Sequence, residues 1–165
     1  MIKELIDDSF YKENDKYIDN VIDYCIIKGD NITHKDAALF AIKRWCEKFD
    51  FDSNIDESKM KDEIINLEEF INGKYFELFM NPPFGKPHRI KEKEYIEKKV
   101  YDRELFNHLN ELLLGKDLNN LEAHNWSTDF SSYFDDGLEW WGAFCVSIYD
   151  KINDRYIVIG ASQTD

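Results

Sequence analysis

Residues 134–144 read Phe-Asp-Asp-Gly-Leu-Glu-Trp-Trp-Gly-Ala-Phe, which sets three carboxylates beside two tryptophans. Paired carboxylates can divide acid and base roles at a glycosidic bond, and an indole face can stack on a sugar. The same residues can serve binding instead. An exposed tryptophan is a typical anchor, and carboxylates around it steer a basic partner. Strand-like alternation puts Trp140 and Trp141 on opposite faces, so one of them belongs to a core. Asp129, Asp135, Asp136, Glu139 and Trp141 are taken as the candidate binding set, with no residue in a catalytic role.

The stretch Phe79–Lys86 reads Phe-Met-Asn-Pro-Pro-Phe-Gly-Lys. Asn81, Pro82, Pro83 and Phe84 resemble the motif with which amino-methyltransferases hold a target amino group. That resemblance implies an Asn side chain and a Pro carbonyl as hydrogen-bond acceptors, and an aromatic ring stacked on the base. It also implies S-adenosylmethionine, bound by a glycine-rich strand-to-helix turn inside a doubly wound sheet. The chain supplies no such turn. Residues 1–72 read as helices with one internal glycine, and "VIGAS" near the end has no helix after it. Residues 81–87 therefore read as a stiff turn in which Pro82, Pro83 and Pro87 remove three backbone donors. Asn81 and Phe84 stay as secondary candidates, with no cofactor expected.

Metal chemistry has weak local support. Asp50, Asp52, Asn54 and Asp56 fall on the first ligand positions of an EF-hand loop, but Ile55 stands where glycine allows the turn. Lys61 stands where a bidentate Glu closes the shell. The loop is expected to be polar, with Ser53, Asn54 or Asp56 capping a following helix. The four histidines, His34, His88, His108 and His124, are scattered, and none has a clear local partner. His124, beside Trp126, is the one kept as a secondary candidate. Cys25, Cys46 and Cys145 sit in apolar-periodic segments without metal spacing and read as reduced core residues. No metal site is assigned.

Charge narrows the class of partner. The net charge is −13 over 165 residues, and it is uneven. Residues 1–70 carry −8, residues 71–116 carry +2 and residues 117–165 carry −7. Such a field repels phosphate backbones and attracts basic proteins. The basic segment 86–103 interleaves glutamates with its lysines, which suits a solvated helix face rather than a nucleic-acid stripe. No apolar run approaches the roughly 18 residues of a membrane span. The first ten residues lack the features of a secretory signal. These readings point to a cytoplasmic protein with neither a nucleic-acid nor a membrane partner.

The elements that must position these groups follow from periodicity. Ile18, Val21, Ile22 and Cys25 fall at helical spacing, so residues 2–28 are predicted to be helical. Thr33 and Asp36 form a capping-box variant ahead of a helix to about residue 49. A third helix is predicted for 57–72, a strand for 74–80 and a further helix for about 91–114. Residues 117–137 read as polar and turn-rich. The alternation from Leu138 to Tyr149, the turn "DKIND" and "RYIVIGAS" predict a β-hairpin.

The expected fold is one α+β domain spanning 1–165. Its helical N-terminal two-thirds should pack on a small C-terminal antiparallel sheet. The expected function is an acidic non-catalytic protein-binding module that masks a basic partner. Small immunity and antitoxin proteins share that charge and size. The alternative is a small enzyme with a cleft near 81–88 and 124–141.

Overall fold

In the computed structural model, residues 1–16, 22–50, 52–80, 103–135 and 142–162 are described. Six antiparallel strands form one sheet: β1 (Lys3–Glu4), β2 (Ile22–Lys28), β3 (Asp62–Ile65), β4 (Leu121–Trp126), β5 (Ala143–Asp150) and β6 (Arg155–Ser162). Their spatial order is β1-β2-β6-β5-β4-β3. The helices are α1 (Ser9–Asn14), α2 (His34–Lys48), α3 (Leu67–Phe70), α4 (Phe76–Met80) and α5 (Arg103–Leu114).

Both faces of the sheet are covered. Ile22, Tyr24 and Ile26 of β2 share one face with Phe144, Val146 and Ile148 of β5 and with Ile157 and Ile159 of β6. Helices α1, α3, α4 and α5 close over them. Phe106 of α5 sits at the centre of that layer, fully buried, with Tyr75, Phe76 and Phe79 edge-on at 4.9–5.1 Å. Tilted ring pairs of this kind add to the area term because ring edges and faces carry opposite partial charge. The opposite face presents Cys25, Ile27, Cys145, Tyr156 and Val158 to α2, through Ala37, Ala38, Ala41, Ile42 and Trp45. Three alanines along α2 let the helix lie close to the strands.

This architecture corrects the expected one. The chain is not a helical two-thirds followed by a small sheet: β1 and β2 come early, and the strands interleave with the helices. Residues 22–28, read as helix, form a strand buried on both faces. A strand covered twice has no polar face, so its alternation disappears and a helical spacing can arise by chance. The helix predicted for 57–72 divides into a 3₁₀ turn at Glu57–Lys59, strand β3 and helix α3. Asp56 caps that short turn, its carboxylate accepting from Ser58 N. Residues 74–80, read as strand, continue as a wide turn at Ile71–Tyr75 and then α4, with a kink at Gly73. Strand β4 was read as part of a turn-rich segment.

Three local readings agree with the structure. The capping box is complete: Thr33 Oγ1 accepts from Asp36 N, and the Asp36 carboxylate accepts from Thr33 N. Helix α5 occupies the described part of the predicted 91–114 helix. The β5–β6 hairpin pairs Asp150 with Arg155 across residues 151–154.

Candidate functional site

Two loops join to make an acidic edge. Residues 50–63 run into β3, and residues 127–135 leave β4, its partner. Backbone and serine hydroxyls zip them together. Asp56 N donates to Phe130 O at 2.8 Å, and Ser127 N donates to Lys61 O at 2.7 Å. Ser131 Oγ donates to Ser53 O, and Ser132 Oγ donates to Asp52 O at 2.8 Å. The zipper therefore puts Asp129 and Asp135 on the same surface as Asp50, Asp52, Asp56, Glu57, Asp62 and Glu63. All eight carboxylate residues are exposed, with only Lys59 and Lys61 as cations between 50 and 63. Ile64, 73% exposed, stands among them on β3, the outermost of the described strands on its side of the sheet.

Just inside this edge, two histidines stack. His34 opens α2 and His124 lies in the middle of β4. Their ring centroids are 3.6 Å apart and the planes differ by 14°. His124 Nδ1 meets Asp62 Oδ2 at 2.6 Å, and its Nε2 meets Glu122 Oε1 at 3.1 Å. His34 Nδ1 meets Ser147 Oγ at 2.8 Å, and the indole N–H of Trp126 donates to the same hydroxyl oxygen at 2.8 Å. His34 Nε2 lies 3.4 Å from Glu122 Oε1, yet its direction makes no hydrogen bond, and the atom is buried. Burial first, and the adjacent His124 ring second, hold the His34 pKa below the ordinary imidazole value. Its hydrogen bond from His124 is the main reason that the Glu122 pKa is also lowered.

The order Ser147–His34–Glu122 has the outline of a nucleophile, a base and an orienting acid. The environment excludes that use. Ser147 is fully buried and its oxygen is occupied by Trp126, so no substrate carbonyl can approach it.

A second titratable group lies on the same sheet face, where Tyr133 donates its hydroxyl to Asp23. Burial is the largest influence and pushes the Asp23 pKa up to about 6, against the lowering effects of Tyr133 and Lys48. A raised folded-state pKa means that the folded protein binds this proton more tightly than the unfolded chain does. The associated stability is fully present below the unfolded value of 3.8 and is lost as pH rises through about 6. Asp23→Asn should therefore stabilise the protein at pH 7.5 by about 1–2 kcal/mol. The gain should vanish near pH 4. Urea unfolding at both pH values checks it, and an equal effect at the two would contradict the assignment.

Among the sequence-derived candidates, Asp129, Asp135 and His124 are placed by the structure. Asp136, Glu139, Trp141, Asn81 and Phe84 lie outside the described residues. Asp129 and Asp135 come together with the 50–63 loop, which sequence reading had treated only as a failed calcium loop. His124 does not join them in a cleft. An open groove of about 670 Å³ beside β3 is lined by Ile64, Phe70, Lys74, Trp126 and Phe144 among others, but by neither His124 nor Asp135. His34, Asp62 and Ser147 were missed as partners of His124. The sheet register sets Asp62 and Ser147 near His124, and the contact with Ser147 brings in His34 from α2, 90 residues away.

The chain matches no family model, and no curated protein resembles it significantly.

Proposed function

We propose that this chain is an acidic, non-catalytic protein-binding module that covers a basic partner through its β3 edge. The observation that supports the reading is the zipper between residues 52–61 and 127–132. It brings two segments, distant in sequence, into one exposed surface of eight carboxylates, faced by Lys59, Lys61 and by Lys35, which pairs with Glu57 at 3.4 Å. Such a surface raises the local concentration of a cationic partner and speeds encounter. The exposed Ile64 gives an apolar contact at its centre. An outermost strand also offers main-chain donors and acceptors for an added strand.

The test is capture from the native host on immobilised protein at low and then high salt. Wild-type chain should retain basic proteins that elute as salt rises. The combined Asp62→Lys, Glu63→Lys, Asp129→Asn and Asp135→Asn variant should lose them. A control with Glu111→Lys and Asp117→Lys, two exposed acids in and just beyond α5, should keep them. With a partner in hand, the edge variant should associate about tenfold more slowly or worse at low salt. Equal capture by the edge variant would remove the reading.

A further inference from the structure

We propose that His34, His124 and Glu122 form a binding site for a borderline transition-metal dication, Zn²⁺ in the first instance, with Asp62 and Ser147 orienting the imidazoles. The site is independent of the docking reading. Two imidazole nitrogens and one carboxylate are a donor set that suits Zn²⁺ and its neighbours and leaves a fourth position for water.

The three residues lie close enough to converge on one ion. One ligand atom from each residue lies within 4.8 Å of the others. Glu122 Oε1 is 3.1 Å from His124 Nε2 and 3.4 Å from His34 Nε2. Tetrahedral bonds of about 2.0–2.1 Å place neighbouring ligand atoms about 3.3–3.4 Å apart. The outer partners are also in place. Metal-bound histidines hand their second N–H to a carboxylate or another acceptor, which fixes ring orientation. Asp62 takes that role for His124 at 2.6 Å, and Ser147 for His34 at 2.8 Å.

The buried His34 Nε2 makes no hydrogen bond. A buried polar atom with no aligned hydrogen bond costs free energy, and an ion bound through its lone pair would remove that cost. The thiols do not compete. Burial pushes Cys46 up to about 11 and Cys145 up to about 12, and raises Cys25 as well, so all three stay protonated.

Loading requires one movement. Imidazole nitrogen lone pairs lie in the ring plane, and two nearly parallel planes 3.6 Å apart cannot share one ion at bonding distance. One ring must turn out of the stack. His34 is tied to the buried Ser147. His124 is held by Asp62 and Glu122, whose side chains are 39% and 45% exposed. His124 is therefore the ring that turns, with its Nδ1 staying on Asp62, and an ion would then pin the start of α2 to β4.

Titration calorimetry with Zn²⁺ on the full chain, stripped beforehand with a chelator, tests this. One equivalent should bind. His34→Gln and His124→Gln should each abolish that event. The exposed Asp62→Asn change, which leaves the three ligands intact, should weaken binding about 10- to 100-fold. Asp135→Asn should leave the affinity unchanged. Proton NMR should show the His34 and His124 ring resonances shift at one equivalent as the stack opens. Absence of a one-equivalent event, or wild-type affinity in a folded histidine variant, would overturn the site. If the histidine variants fail to fold, Asp62→Asn with the ring resonances decides alone.

Discussion

Replacing Arg155 with alanine should destabilise the protein by about 3 kcal/mol. Its guanidinium binds three elements. Nη1 donates to Asp8 Oδ2 at 2.8 Å, Nε donates to Asp150 Oδ2 at 3.2 Å, and Nη2 donates to Leu113 O at 3.2 Å. Asp8 caps α1, Asp150 closes the β5–β6 hairpin, and Leu113 lies in the last turn of α5, where a cation meets the negative end of the helix. The Arg155 and Asp150 side chains are only 14% and 6% exposed. Removing the cation leaves a buried carboxylate with Asn153 alone, and an unpaired buried charge is the costly case.

The pH dependence has a definite sign. Burial pushes the Asp150 pKa up, but the Asn153 hydrogen bonds and Arg155 outweigh it, so the net shift is downward from 3.8. A lowered folded-state pKa contributes stability above 3.8 that is lost as pH falls through the folded value. Arg155→Ala should reduce that contribution, so acid unfolding begins at higher pH. Thermal melts should fall by roughly 6–12 °C at pH 7, given about 2–4 °C per kcal/mol at this chain length. The pair Arg155→Met with Asp150→Asn should recover part of the loss. A drop below about 1 kcal/mol in the single variant would show that the carboxylate finds other compensation.

Gly160→Ala is the second large effect, about 2–3 kcal/mol of destabilisation from overpacking. Gly160 sits in β6 between Asp23 and Cys145, with Trp45 of α2 directly above it. An added Cβ would lie 2.7 Å from Trp45 Cη2 and closer still to Cζ3. The ring cannot simply retreat. Its N–H donates to Tyr24 O at 3.2 Å, and Tyr133 lies against it at 5.3 Å between centroids. The backbone here is ordinary strand, so the demand for glycine is purely one of space. Trp45→Leu lowers stability by itself, but it should make Gly160→Ala nearly neutral in that background. The coupling should be about 2–3 kcal/mol by a double-mutant cycle. Additive losses would mean that the two residues do not meet as described.

Sequence reading succeeded where structure is local. Thr33 and Asp36 are three residues apart and satisfy each other's backbone, so the start of α2 was legible. The β5–β6 hairpin was legible because its turn is short and its strands adjoin. The existence of α5 was readable for the same reason, although its buried face is carried by Phe106, Leu109, Leu113 and Leu114. The net negative charge followed from composition alone.

Other features depended on what packs where. β2 is buried on both faces and so shows no alternation, while β3 is four residues long beside a 3₁₀ turn and offers too few positions for any period. Residues 74–80 carry strand-like composition but are drawn into helix because Tyr75, Leu78 and Phe79 must fill the aromatic layer around Phe106. The His34–His124 stack joins residues 90 apart. It exists because the register of β4 on β5 sets His124 opposite Ser147, which reaches the first residue of α2. Short-range hydrogen bonds and charge were written in neighbouring residues. Which faces are covered, and which distant side chains meet, was decided only when the sheet closed between its two helical layers.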